Sequence, residues 1–366
     1  MADFLAKNQY INLMINIDAD TKIDFDDVLI KPKISNINSR AEVNLVRTFQ
    51  FAHSPKQLSC VPIVAANMDT TGTMLMADAM IRHGCVTCLH KHYSEEDIEH
   101  YFTHQQGVSD LVFYSTGISR DDIKKLTVVM NNLRLKNITL PNVCIDVANG
   151  YHANFIKNIR LIRDIYPEII IMAGNVVTPE IVEKLIITGK VDIVKVGIGS
   201  GSACTTRLKT GVGYPQLSAI IECSDIAHSL GAHICSDGGC RTAGDISKAF
   251  AANSDFVMLG GMLAGTDECD GEWTYEDSEI KRKISFSFYG MSSHIAQAMH
   301  GGLKGYRASE GRVMTIPYKG QVSSIIDDIL GGIRSACAYT GALSIVDLPK
   351  CAEFIRVNRI HFYNAV

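Results

Sequence analysis

The sequence predicts a single-domain α/β protein, a (β/α)8 barrel of the TIM type with long loops after strands six and eight. Eight short apolar runs rich in β-branched residues, helical patterns between them, and starts 22 to 32 residues apart in all but one interval carry that expectation. Parallel strands buried on both faces read as near-continuous apolar segments, and each crossover to the next strand needs a helix. Eight such units close a barrel. An open doubly wound sheet accommodates five or six of these strands, but the regular eightfold count favours closure.

The strand runs are VPIVAANM from Val61, GCVTCLHK from Gly84, DLVFYSTG from Asp110, NVCIDVAN from Asn142, EIIIMAGN from Glu168, VDIVKVGIG from Val191, AHICSDGG from Ala232 and SDFVMLGG from Ser254. Between them, SEEDIEHYF opens on Ser94 with Asp97 at the capping-box position, TPEIVEKLI opens on Thr178 with Pro179 in its first turn, and AGDISKAFA precedes strand eight; these are helix-start signals. Strands six and seven start 41 residues apart, with GIGSGSACTTRLKTGVGYPQ between them. The barrel strands are expected over about 61–261, a flap segment without a βα pattern over 262–319, and a closing helix (IIDDILGGIRSACAYTG) and tail over 320–366. Both expansions follow C-terminal strand ends, where barrel enzymes carry their sites.

Composition narrows the class. A hydrophobic content of 46% and a charged content of 20% over 366 residues describe a folded chain with a large core. A formal net charge of −4, with no sustained Lys/Arg stripe, argues against a nucleic-acid surface. The start carries no basic segment followed by an apolar core, and no apolar run approaches the ~18 residues of a membrane span. The expected setting is cytosolic. Eleven cysteines, an odd number scattered through apolar runs, suit reduced thiols. Cys85 and Cys88 form a CxxC, but no second pair or nearby His pair completes a metal set, so a buried strand is the favoured reading.

The loop after strand six holds the strongest chemical signal. In GIGSGSACTTR, glycines allow sharp turns and close approach of backbone amides, while Ser202, Thr205 and Thr206 surround Cys204 with hydroxyls. A free cysteine is usually a core residue. A polar loop at a strand's C-terminal end instead suits a nucleophile. Asp237, Gly238 and Gly239 after strand seven, with Gly260 and Gly261 after strand eight, place bare amides where barrels bind phosphate. Asp237 suits ribose hydroxyls or, alternatively, a helix N-cap. Within FYGMSS and YRASEG, Ser292, Arg307, Ser309 and Glu310 are candidates for a lid over the barrel mouth; for Glu310 a solvated surface carboxylate is the other reading.

Taken together, GIGSGSACTTR, SDGGCRTAGD, DFVMLGGMLAG, FYGMSS, YRASEG and ILGGIRSACAYTGA resemble the IMP dehydrogenase and GMP reductase family, from about Phe25 to about Ile355. Dehydrogenases of that family insert regulatory repeats between barrel strands two and three, whose starts here are 26 residues apart, and carry an Arg-Tyr pair on the flap that is absent here. The resemblance is therefore to the reductase branch. It implies NADPH-dependent reductive deamination of GMP to IMP, with Cys204 attacking the purine carbon that bears the amine and Thr206 with Glu310 delivering the proton to departing ammonia. It also implies GMP contacts from Ser202, Asp237, Gly238, Gly239, Gly260, Gly261, Gly290, Met291, Ser292, Arg307, Ala308, Ser309 and Gly311. The cofactor side is implied to be Ser39, Arg40, Lys91, Asp146, Val147, Ala148, Ile198, Gly199, Tyr306 and Ser335. A monovalent cation, potassium, on the backbone carbonyls of Gly199, Gly201 and Cys204, and a homotetramer, complete what the resemblance implies. An IMP dehydrogenase without its insert and a non-catalytic nucleotide-binding barrel are the alternatives. Ser200 stands where the family has proline, a change expected to loosen the loop.

Overall fold

A computed structural model describes residues 17–104, 109–277, 281–300 and 308–358. All eight predicted strands form: β1 (Ile63–Ala65), β2 (Val86–Leu89), β3 (Val112–Thr116), β4 (Asn142–Asp146), β5 (Ile171–Val176), β6 (Ile193–Val196), β7 (His233–Asp237) and β8 (Phe256–Leu259). Each pairs in parallel with its neighbours, and β8 pairs with β1 to close the barrel. Side chains alternate across the wall. Val86 and Cys88 of β2 point into the lumen cluster, while Cys85 and Leu89 join the layer beneath the helices. Cys85, just ahead of β2, and Cys88 within it thus lie on opposite sides of the buried barrel wall, and all eleven cysteines are free.

The helices follow their signals. In the helix Glu95–His104 the Ser94 hydroxyl accepts the Asp97 N–H at 3.0 Å while the Asp97 carboxylate accepts the Ser94 N–H at 3.3 Å. In the helix Pro179–Ile187, Pro179 occupies the first turn, where its missing N–H costs nothing, and Thr178 caps with no side-chain hydrogen bond. The closing helix, Val322–Thr340, packs between Ala243–Ala251 and Met74–Arg82 and completes the outer ring. Among the described residues, no helix is long and apolar enough to cross a membrane.

The two ends of the barrel differ. The N-terminal end is plugged by a hairpin, Arg47–Gln50 paired with Gln57–Cys60, whose Phe49 stacks on Phe256 with ring centroids 4.3 Å apart. Asp255, fully buried before β8, receives the Arg47 guanidinium at 2.7 Å and His228 Nε2 at 2.7 Å, pinning the plug. With that end sealed, the barrel opens toward a ligand at its C-terminal face. The long segment beyond β8, which has no βα pattern, instead forms a three-stranded antiparallel sheet of β9 (Trp273–Tyr275), β10 (Lys283–Tyr289) and β11 (Val313–Pro317). The period-two alternation of KISFSFY builds it, burying Phe286 and Phe288.

Candidate active site

A cavity of about 670 Å³ opens on the C-terminal face and is lined by residues from every barrel strand end and from the flap. That is room for a nucleotide-sized ligand. Glycines permit the crowding at its wall. A Cβ on Gly261 would lie 2.5 Å from Ser202 Oγ, and Gly238, at φ +93°, would meet Ser200 Oγ at 2.7 Å. Ser200 brings a hydroxyl that proline lacks. Its hydroxyl donates to the Asp237 carbonyl at 3.1 Å, fastening the cysteine loop to the end of β7.

Cys204 sits on that loop, half-buried, just ahead of a short helix over Thr206–Thr210. The Cys204 N–H closes a turn onto the Gly201 carbonyl at 3.0 Å. The flap's return strand then pairs with the loop. Cys204 and Gly311 form an antiparallel bridge, Thr205 N–H donates to the Glu310 carbonyl at 2.8 Å, and Arg312 N–H donates to the Ala203 carbonyl at 2.9 Å. This ladder aligns three side chains: the Cys204 thiol donates to Thr206 Oγ1 at 3.2 Å, and the Thr206 hydroxyl donates to Glu310 Oε2 at 2.8 Å. A thiol, a hydroxyl and a carboxylate in series can pass a proton either way.

The floor is polar. Lys195, on β6 and 1% exposed, reaches Asp146 Oδ1 at 2.6 Å and Asp237 Oδ2 at 3.3 Å. Burial disfavours its charge, but Asp146 and then Asp237 outweigh that and hold the ammonium well above the ordinary lysine range. On one rim, His92 stacks on His300 with centroids 3.5 Å apart, and His90 on Tyr93 at 4.0 Å. Burial, followed by a neighbouring imidazole in each case, pushes both His90 and His92 down to about 4.

Of the residues singled out from sequence, the cavity gathers Lys91, Asp146, Val147, Ala148, Ile198, Gly199, Gly201, Ser202, Cys204, Thr206, Asp237, Gly238, Gly239, Gly260, Gly261, Gly290, Met291, Ser292 and Glu310. Gly311 lies on the ladder opposite Cys204, with the Ser309 hydroxyl donating to its carbonyl at 3.4 Å, while Ala308 is exposed. Three cofactor-side candidates stand apart. Arg40 and Ser335 line a second, shallow hollow between the closing helix and the start of Ala243–Ala251, and Ser39 caps the turn that carries Arg40. Tyr306 and Arg307 lie outside the described residues. Sequence reading missed Asn67, Asn175, Lys195, His92 and His300, all on the cavity wall. The lysine in VDIVKVGIG had a signal, since a charge inside a buried strand needs partners.

A (β/α)8 barrel sealed at one end and carrying a cysteine–threonine–glutamate chain beside a glycine-lined cavity at the other is the class that fold and site define. The chain belongs to the IMP dehydrogenase / GMP reductase family, whose domain model matches residues 22–363. Its relatives include GMP reductase 1 of Homo sapiens, 51% identical over 95% of this chain and 99% of that protein. GMP reductase of Vibrio vulnificus is 50% identical over 94% of this chain and 97% of its own, and GMP reductase of Phytophthora infestans is 48% identical over 94% and 93%.

Proposed function

We propose that the protein is a GMP reductase, converting GMP to IMP and ammonia in purine nucleotide interconversion. The hydrogen-bonded series Cys204–Thr206–Glu310 carries this reading, supported by relatives of that name at about half identity along nearly the whole chain. Glu310 accepts the thiol proton through Thr206, and the thiolate adds to the purine carbon that bears the amine. The same proton returns through Thr206 to the amine, which leaves as ammonia while the carbon stays bonded to sulfur. Reduction at that carbon then expels the thiolate and frees IMP.

Bound here, NADPH would supply the hydride, so that GMP, NADPH and two protons would become IMP, NADP⁺ and ammonium. The wall from β2 to β5 fits such a group. Lys91 offers an ammonium that is 41% exposed beside Asp122, Asp146 a carboxylate for hydroxyls, and the buried Ser115 Oγ and Asn175 Oδ1, both on the cavity wall, have no partner among the described residues. Val147, Ala148, Ile198 and Gly199 add apolar and backbone surface between them. On the nucleotide side, Asp237 faces the ribose, while Ser202, Gly238, Gly239, Gly260, Gly261 and the Gly290–Ser292 turn cradle the phosphate and base, with Ala308, Ser309 and Gly311 on the strand behind Glu310 and Arg307 assigned to the same ligand. A potassium ion is assigned to the carbonyls of Gly199, Gly201 and Cys204. The Gly201 carbonyl already closes the Cys204 turn and keeps a second lone pair for an ion, so the loop fits one without depending on it.

The separation of Ser39, Arg40 and Ser335 from the main cavity is what a site completed by a neighbouring copy requires, and it supports a homotetramer in which one protomer's hollow serves another's cofactor, with Tyr306 assigned to that side. Eleven free thiols support a reducing, cytosolic setting.

The test is incubation with GMP plus NADPH and, separately, IMP plus NAD, following cofactor absorbance and ammonia. GMP-dependent NADPH consumption with stoichiometric ammonia is expected. NADH formation from IMP with no GMP-dependent turnover would instead establish a dehydrogenase, and nucleotide binding without either turnover a non-catalytic barrel.

A further inference from the structure

Lys195 performs no step in the proposed chemistry, yet it ties the cavity floor together. The Lys195 ammonium donates to Asp146 Oδ1 at 2.6 Å and Asn67 Oδ1 at 3.1 Å, and it forms an ion pair with Asp237 Oδ2 at 3.3 Å. These partners come from the ends of three different strands, β4, β1 and β7. The two carboxylates are those assigned above to different ligands, Asp146 to the cofactor and Asp237 to the nucleotide. Both open onto the cavity, with side chains 38% and 23% exposed, while the lysine beneath them is almost wholly enclosed. Among the described residues no other cation lies within ion-pair distance of either.

We propose that Lys195 is a positioning residue that couples the two ligand subsites: one enclosed ammonium shared by Asp146 and Asp237 makes the orientation of each carboxylate depend on the other. Its charge is poorly screened at the floor, so a change at one carboxylate redistributes the pull on the second. The sharing is lopsided. Asp237 also accepts the Asn175 amide at 2.8 Å, a tether independent of Lys195. Removing the charge of Asp146 leaves the ammonium drawn toward Asp237, turning that carboxylate down toward the floor and away from ribose. The coupling is reciprocal, as linkage between binding sites must be. This inference rests on the ligand assignment of the proposed function.

Calorimetric binding without turnover tests it. GMP is titrated into Asp146→Asn with no cofactor present, and NADPH into Asp237→Asn with no nucleotide. Each variant should weaken the ligand it does not touch by about fivefold or more, the lower end of typical coupling between sites. Lys195→Met should weaken both ligands, and adding Asp146→Asn to it should cause no further loss of GMP affinity. If the wild type binds both ligands and each Asn variant weakens only its own, the coupling is refuted. Should Lys195→Met fail to fold, the two Asn variants decide the matter alone. A wild type that binds neither ligand overturns the ligand assignment itself and this inference with it.

Discussion

Thr206 Oγ1 lies 2.8 Å from Glu310 Oε2, although 104 positions separate the two residues in the chain. Main-chain pairing brings them together. The bonds from Thr205 N–H to Glu310 and from Arg312 N–H to Ala203 register the flap's return strand against the cysteine loop before either side chain is considered. The carboxylate proposed above as the acid/base partner of the cysteine therefore reaches Thr206 only when the flap is docked.

Glu310→Gln keeps the shape and a hydrogen-bonding group but cannot hold the thiol proton. Its kcat should fall by about 10²- to 10⁴-fold, the usual contribution of a positioned acid/base group, with little change in affinity for GMP. Steady-state rates with GMP and NADPH, paired with calorimetric GMP binding, check this. Unchanged turnover would return Glu310 to the role of a surface carboxylate.

Asp69, in the turn after β1, anchors the flap at the opposite rim. Its Oδ2 accepts from His300 Nε2 at 2.8 Å and from Tyr289 OH at 3.0 Å, joining two flap elements to one barrel loop. Hydrogen bonds to a charged group contribute roughly 1.5–3 kcal/mol each. Asp69→Asn should speed hydrogen exchange across Lys283–Tyr289 and Val313–Pro317 and lower kcat/KM about tenfold, while barrel strands exchange as before. Acceleration spread evenly over the barrel would contradict a local anchor.

Acid should weaken the rim. His90 and His92 titrate at about 4 in the fold and near 6.5 in an unfolded chain. Between those values the unfolded state binds more protons, so stability is complete above about 6.5 and declines as pH falls toward 4. Thermal midpoints should drop from pH 7 to pH 5, and His92→Gln should flatten part of that slope. An identical slope in the variant would exclude His92 as its source.

Asp255→Asn removes the one carboxylate that, among the described residues, pairs with Arg47 across the plug. Breaking a buried pair by deleting one partner costs about 3–5 kcal/mol, and a shift of that size should appear in the urea midpoint. GMP affinity should stay as in the wild type, because the plug lies at the sealed end. A large loss of GMP affinity in the folded variant would show that the two ends are not independent.

Much of this architecture is legible in the chain because its signals are local. Buried parallel strands need unbroken apolar runs, so all eight appear in VPIVAANM through SDFVMLGG, and Ser94 with Asp97 or Pro179 marks helix starts within four residues. The alternation in KISFSFY was equally legible as a strand, but its partners are Trp273–Tyr275 and Val313–Pro317, the latter beyond an intervening helix. A period identifies a strand without identifying its neighbour.

The sequence by itself determined the barrel, the glycine-lined loop that exposes Cys204, and the family that the domain match bears out, since each depends on residue type and spacing over short stretches. Tertiary structure alone decided which distant side chains meet. It set Glu310 against Thr206 through a backbone ladder, enclosed Lys195 between Asp146 and Asp237, and left Arg40 and Ser335 in a hollow of their own. The physical reason is that hydrogen bonds and ion pairs act over a few ångströms, so their partners are chosen by how β1, β4, β6, β7 and the flap pack, not by their order along the chain.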